Sequence, residues 1–388
     1  MQQFDIAIVG GGMVGAALAC ALAPLGLSIA IVEKNAPMPY QPTQAMDLRV
    51  SAISIASQKL LEDVGAWQHI AQMRSCPYRY LETWEAQDSH LLFDSAEMSR
   101  AHLGHIVENR LIVLALWRQM NTFDNITVFK DATIERFEKN QFGYTLTMDD
   151  QPIKCRLLVG ADGSNSSVRA AANIGITAWD YRQHAMLINI TTQCPQQNIT
   201  WQQFTASGPR ALLPLAGNKA SLVWYDSPQV IRQLSSLSPE QLKQRIIAEF
   251  PQRLGQFTVN DCGSFPLTRR HAQTYHKANV VLVGDAAHTI NPLAGQGVNL
   301  GFKDVIALAK EIAQSHASDN DWWDQQTLSR YQKSRRPDNL LMQSAMDVFY
   351  LTFSNQKLPV KLLRNTILKL AEQSTWGKKQ VMKYAMGL

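Results

Sequence analysis

The chain has 388 residues, of which 46% are hydrophobic and 18% charged, and its formal net charge is +5. A chain this long can bury roughly three quarters of its unfolded surface, and at about 150 residues per domain it holds two or three domains or one large domain with insertions. Composition excludes a disordered chain, a collagen-like repeat and a disulfide scaffold.

The first predicted elements lie in Ile6–Val32, 27 residues without a charge. That is long enough for a membrane span. It contains Gly10-Gly11-Gly12, Gly15, Pro24 and Gly26, however, with β-branched runs at both ends. The pattern predicts a buried strand at Phe4–Val9, a small-residue helix at Met13–Leu25 stopped by Gly26, and a second strand at Leu27–Val32. Met1-Gln2-Gln3-Phe4-Asp5 lacks the positive start of a signal peptide.

Helical periodicity is expected over Val50–Leu61 and Leu111–Met120, and strands at Ile126–Lys130, Thr133–Phe137 and Tyr144–Met148. A short buried strand, Cys155–Val159, runs into Gly160-Ala161-Asp162-Gly163. Alternating runs between Tyr181 and Phe265 predict an antiparallel sheet with one solvated or ligand-facing side, plus a polar helix near Pro239–Phe250. Val280–Val283 is another short buried strand before a glycine-rich turn, and a long helix follows over Val298–Ser315. The five cysteines, Cys20, Cys76, Cys155, Cys194 and Cys262, include no close pair. They predict a reduced, cytoplasmic chain without a dithiol centre.

Three motifs carry chemistry. Gly10-Gly11-Gly12-Met13-Val14-Gly15 is a GxGxxG between strand and helix. In such a turn Gly10 permits the tight bend, Gly12 the approach of a pyrophosphate, and Gly15 close helix–strand packing. Glu33 follows Gly10 by 23 residues, at the end of the second strand, where a carboxylate can accept from ribose hydroxyls. The second motif is Gly160-Ala161-Asp162-Gly163-Ser164-Asn165-Ser166-Ser167-Val168-Arg169. The third is Gly284-Asp285-Ala286-Ala287-His288, followed by Asn291-Pro292-Leu293-Ala294-Gly295-Gln296-Gly297-Val298-Asn299. An aspartate at a strand's carboxyl end can bond a polyol. A helix opening behind glycines directs its positive end at whatever lies in front of it.

In this order the motifs resemble the flavoprotein aromatic hydroxylases, single-component FAD monooxygenases of the p-hydroxybenzoate hydroxylase fold. Within them the chain is similar to the ubiquinone-biosynthesis hydroxylases. That similarity is carried by Asp47-Leu48-Arg49-Val50-Ser51-Ala52-Ile53-Ser54, Glu82-Thr83-Trp84-Glu85, Val107-Glu108-Asn109, Phe265-Pro266-Leu267-Thr268-Arg269 and the end Tyr384-Ala385-Met386-Gly387-Leu388.

The resemblance implies an α/β fold with a discontinuous Rossmann-like FAD domain (1–75, 97–180 and 266–340). An inserted sheet domain for substrate (76–96 and 181–265) and a basic helical segment (341–388) complete it. It implies that Gly10, Gly12, Gly15 and Glu33 hold the ADP half of FAD and that Arg49 lies near flavin and pyrophosphate. Asp162 and Gly163 would lie beside the pyrophosphate groove, Asp285 on the ribityl side, and Gly295, Gly297 and Asn299 at the isoalloxazine edge. Asn109 stands where relatives often have Arg or Gln. The implied reaction consumes NAD(P)H and O2 and passes oxygen from a flavin C4a-hydroperoxide to the ring of a polyprenyl quinol or phenol. No catalytic triad is expected, since an electron-rich ring needs little acid–base help, and Pro292–Gly295 would wall the reaction chamber. A soluble phenol as substrate, or a flavin-binding scaffold within a biosynthetic complex, are the rival readings.

The remaining candidates are weaker. His102 and His105 have no third ligand nearby in sequence, so no metal site is expected. His288 is expected to hydrogen-bond its own loop. Trp67, Trp84, Trp201 and Trp224 are expected in cores. Finally, Asn355–Leu388 carries seven Lys and Arg against Glu372 alone, a net +6, so the other 354 residues sum to −1. The basicity is therefore a C-terminal property, and no nucleic-acid partner is expected. With its apolar stripe (Val360, Leu362, Leu363, Ile367, Leu368, Leu370), this tail fits either a peripheral contact with the inner face of the cytoplasmic membrane or a helix packed on the FAD domain with a solvated basic face. The resemblance favours the membrane contact and implies a complex with other enzymes of the pathway.

Overall fold

A run of residues that is apolar at every position, such as Ile6-Ala7-Ile8-Val9, must be covered on both faces, which is the situation of a parallel strand between helix layers. The computed structural model describes residues 1–85, 90–148, 151–290, 297–354 and 386, and it places Gln2–Val9 at the centre of such a sheet. Across this sheet the order is His276–Lys277, Val280–Leu282, Gln151–Gly160, Gln2–Val9, Ile29–Glu33 and Ile126–Lys130. All but the first strand run parallel. A meander of Arg136–Lys139 and Tyr144–Met148 hangs from Gln151–Gly160. The small-residue helix Met13–Leu22 packs between the sheet and the helices Asn109–Met120 and Gly297–Ala317.

The second sheet is built on a long antiparallel ribbon, Ile176–Thr192 against Phe257–Ala272, with register shifts at Asp180/His184 and Asn189/Ile190. Neither face is simply solvated. Met186, Ile188, Leu212, Leu222 and Trp224 pack under the helices Pro228–Ser235 and Pro239–Glu249. Trp84, Trp201 and Phe250 belong to this layer. Ala185, Leu213, Val223, Tyr225 and Leu267 form the other face, toward a small sheet of Val50–Ser54, Gly104–Glu108 and Cys76–Tyr78.

One local expectation is corrected. Val50–Leu61 is not one helix: Val50–Ser54 is a strand, and the helix Ile55–Asp63 begins only after Ser54, whose hydroxyl accepts from Ser57 N. The β-branched Val50 and Ile53 favour the strand, and the N-cap serine marks the switch. Helix Gln325–Ser354 carries Pro337 inside it. Tyr331 and Asn339 of this helix are fully buried, so packing on both sides of Pro337 holds the turn together.

Candidate functional site

Three parallel strands end side by side, because Val9 pairs with Gly160 and Gly160 with Leu282. Each of the three glycine-containing motifs starts there, so residues more than 100 positions apart meet at one edge. This is where open parallel sheets form ligand crevices.

The first turn is packed tightly on one side and open on the other. Gly10 has φ +103°, and a Cβ there would lie 2.4 Å from Ala161 O. A Cβ on Gly15 would lie 1.9 Å from Gly10 O, whereas one on Gly12 would meet nothing within 4 Å. Glu33 Oε2 accepts from Gly11 N at 2.6 Å and Oε1 from Asn35 N at 2.8 Å. Trp117 Nε1 donates to Gly11 O at 2.7 Å. Gly11 is thus held at both its N–H and its C=O. Trp117 carries no motif signal, and only the fold shows its role. Trp117→Phe keeps the ring but strands the buried Gly11 carbonyl, so it is expected to cost about 1–3 kcal/mol. Denaturant unfolding of the purified variant checks this, and an unchanged midpoint and slope contradict it.

In the second turn Asp162 Oδ2 accepts from Ser167 N (2.6 Å), Ser167 Oγ (2.8 Å) and Val168 N (3.2 Å). Its Oδ1 is buried and has no hydrogen-bond partner among the described residues. Gly163 has φ +78° with open space where a Cβ would be. Arg169 donates to Ala286 O and to Ser164 O, both at 2.9 Å, so it ties the second turn to the third.

The third turn stands on a buried polar network that sequence reasoning misses. Asp304, fully buried, accepts at Oδ2 from Gly284 N (3.0 Å) and from His288 Nε2 (2.5 Å). Its Oδ1 accepts from Arg335 Nε (2.9 Å) and Asn339 Nδ2 (3.2 Å). Burial pushes the Asp304 carboxyl up, but His288 and Arg335 outweigh it and hold it below the ordinary carboxylate value. His288 therefore bonds a helix carboxylate, not its own loop as expected. Its ring also stacks near Tyr275, whose hydroxyl receives Asn339 Nδ2 at 3.2 Å. Asp285 is left open to the crevice. Protein crowding around it raises its carboxyl above the usual value, with His288 and Arg49 opposing.

The remaining candidates sit beside this edge. Arg49 is exposed, with its guanidinium 5.7 Å from the Phe265 ring centre. Its loop is clamped from three directions. Arg110 grips Asp47 at 2.9 and 3.0 Å, Glu108 accepts from Asp47 N at 2.7 Å while bound to Arg74, and Asn189 Nδ2 donates to Met46 O at 3.0 Å. Asn109 N donates to Arg49 O at 3.0 Å, and Asn109 Oδ1 accepts from Ser51 Oγ at 2.7 Å. Gly297 opens its helix, and a Cβ there would meet none of the described residues within 4 Å. Asn299 is turned away to the strand Val50–Ser54, accepting from Ser54 N at 3.1 Å and donating to Ala52 O at 2.8 Å. Both ends of its amide are anchored there. Gly295 and the predicted chamber wall Pro292–Gly295 lie outside the described residues.

His102 and His105 lie ring to ring at 4.3 Å against Trp67. No group of three metal-ligating side chains occurs among the described residues. Burial, with His102 beside it, pushes His105 down to about 4.

The crevice passes a test for a dinucleotide. Open Cβ positions at Gly12, Gly163 and Gly297 leave room against bare backbone, and the orphaned Asp162 Oδ1 marks a polar partner to be supplied.

Comparison with known proteins agrees. The family described as FAD binding domain matches residues 3–343. Over 388 residues the chain is 46% identical to the 3-demethoxyubiquinol 3-hydroxylase of Escherichia coli, covering 100% of this chain and 99% of that protein. It is 33% identical to a ubiquinone hydroxylase of Rhodospirillum rubrum over 385 residues, covering 99% and 89%. The p-nitrophenol 4-monooxygenase of Pseudomonas putida superposes with a TM-score of 0.81 at 15% identity, covering 100% and 99%, a likeness of fold. The chain belongs to the FAD-binding-domain family and, within it, to the flavoprotein hydroxylases of ubiquinone biosynthesis: it is an FAD-dependent monooxygenase.

Proposed function

We propose that the chain hydroxylates the ring of a polyprenyl benzoquinol, with NAD(P)H and O2 as co-substrates, in the reaction for which its Escherichia coli relative is named. The observation that carries this reading is the 46% identity extending over the whole of both chains. Bound FAD supplies the two-electron chemistry that activates dioxygen.

The chain's own residues bind, orient and exclude. The backbone of Gly10–Gly15 and the N-terminus of Met13–Leu22 receive the pyrophosphate and Glu33 the ribose, while Asp162 and Gly163 lie beside the pyrophosphate groove. Asp285 takes the ribityl hydroxyls. Arg49, held by the Asp47 and Glu108 clamps, places a positive charge between the crevice and Phe265. The apolar face of Leu187, Leu213, Val223 and Phe265 keeps water from the reacting ring and orients it. No side chain is required to move a proton at that ring.

The basic segment Asn355–Leu388, which we propose brings the protein to an anionic membrane surface beside other enzymes of the pathway, lies outside the described residues except for Met386. No helix among the described residues is long and apolar enough to cross a membrane.

Mass spectrometry of the quinone pool in cells lacking this protein tests the proposal. A prenylated precursor lacking one ring oxygen should accumulate, and its structure names the position. An unchanged pool, with no second hydroxylase compensating, overturns the quinol substrate and leaves a flavin monooxygenase for a soluble phenol.

A further inference from the structure

A second concavity, distinct in its residues from the three turns, lies where the base of the long ribbon meets the C-terminal helix. It is lined by Thr177, Trp179, Arg269, His271, Arg336 and Leu340, among others, and has a volume of about 220 Å³. Contacts fix its geometry. On the ribbon, Trp179 pairs with Arg269 and Thr177 with His271. On the helix, Gln343 Oε1 meets His271 Nδ1 at 2.8 Å, and Asp347 bonds both Arg269 and Tyr181. Ribbon and helix therefore close the cleft at the Asp347 end, while Arg336 and Leu340 form its helix wall.

Its charges do not balance internally. Arg269 is matched by Asp347. Among the described residues Arg336 is not matched: its buried Nε has no hydrogen-bond partner there and it makes no ion pair. The neighbouring Arg335 takes the nearby acids, Asp304 and Asp338, for itself. Burial, with His288 beside it, pushes His271 down to about 4, so its ring is neutral at physiological pH and adds no charge to the cleft. A buried guanidinium N–H without an acceptor is costly, and a planar five-donor fork suits phosphate or carboxylate oxygens.

The rim is apolar where a soluble protein has no structural need for it. Trp179 is 67% exposed, and Ile176 three residues before it is 37% exposed. An indole left largely in water beside a cationic cleft is the arrangement that meets an amphiphile, with the charged end inside and the apolar end across the ring. Size narrows the ligand further. About 220 Å³ falls below the roughly 300–1,000 Å³ that enclose a whole drug-sized molecule, so a head group fits and a dinucleotide does not.

We propose that this cleft is a second binding site, taking the phosphate-type head group of an anionic amphiphile on Arg336 and Arg269 while its apolar part lies over Trp179 and Leu340. Such a head group is offered both by a lipid in a membrane surface and by a free phosphate ester carrying an apolar chain.

The test uses the full-length holoprotein, with FAD content measured for every variant as a check on folding. Calorimetric titration with dihexanoyl phosphatidic acid should show binding that Arg336→Gln weakens about tenfold and Arg336→Lys partly restores, as expected for loss of one charge-assisted contact. Trp179→Ala should weaken it about threefold or more through lost apolar contact. Sedimentation with vesicles of phosphatidylcholine containing phosphatidylglycerol separates the sources. Retention that Arg336→Gln reduces, with the basic tail intact in both proteins, supports a membrane lipid; binding of the soluble lipid without that difference supports a free amphiphile. The proposal is overturned if the wild type binds no probe, if the variants bind as the wild type does, or if inorganic phosphate binds as well as the acylated probe.

Discussion

Asp304→Ala should yield a protein that retains little FAD and unfolds far more readily than the wild type. The carboxylate is fully buried and is the common acceptor for Gly284 N, His288, Arg335 and Asn339. Removing it leaves the Arg335 charge in the interior beside three other donors that have lost this acceptor. Breaking a buried pair from one side costs about 3–5 kcal/mol. Because Gly284 N is one of the four donors, the damage falls on the turn that presents Asp285 to the crevice, so cofactor affinity is lost with stability. Asp304→Asn separates the two effects, since it keeps an acceptor for the Gly284 amide but removes the charge. Denaturant unfolding and visible absorbance of the purified variants provide the measurements. Wild-type stability and flavin content in Asp304→Ala would contradict the assignment.

The second large effect is on acid stability. His105 and His271 are both pushed to about 4, His105 by burial and then by His102, His271 by burial and then by His288. An unfolded histidine titrates near 6.5. Between these values the unfolded chain binds protons that the folded one refuses, so the stabilising effect is fully present above about pH 6.5 and is lost as pH falls toward 4. At pH 5 each histidine accounts for about 2 kcal/mol of lost stability. Asp304, held below its ordinary value, acts in the same direction but only lower, once pH falls below about 4. Denaturation midpoints measured at pH 7.5, 6 and 5 should fall progressively, and His271→Gln should flatten part of that decline. A constant midpoint over this range would contradict both histidine assignments.

The features legible in the sequence were those encoded locally. Gly10 to Gly15 lie within six residues between a strand and a helix, and Glu33 follows at a fixed interval, so one turn with its acid can be read without a fold. Asp162 and Asp285 were legible as members of strand-end turns for the same reason. The clamps were not. Arg110 reaches Asp47, Arg74 reaches Glu108, Trp117 reaches Gly11 and Arg335 reaches Asp304, across 31 to 106 residues of chain. An isolated arginine or tryptophan within a helix has no periodic signature for a partner that far away. Val50–Leu61 misled for a different reason: apolar spacing over five residues fits a strand as well as a helix, and the sheet partner Gly104–Glu108 decided the matter.

The order of strands in the parallel sheet also sets a timetable for synthesis. Gln2–Val9 is made first but gains its neighbour Gln151–Gly160 much later, and Val280–Leu282 later still. Asp304, Arg335 and Asn339, which support the third turn, follow even that strand. At 5–20 residues per second, the interval from residue 160 to residue 339 lasts roughly ten to thirty-five seconds. Until Val280–Leu282 emerges, the nascent chain presents the apolar edge Leu158–Gly160 unpaired, while the ribbon domain is being built. The ribosome-bound chain is thus an aggregation-prone client until Val280–Leu282 emerges, and FAD can stabilise it only once Asp304, Arg335 and Asn339 have followed.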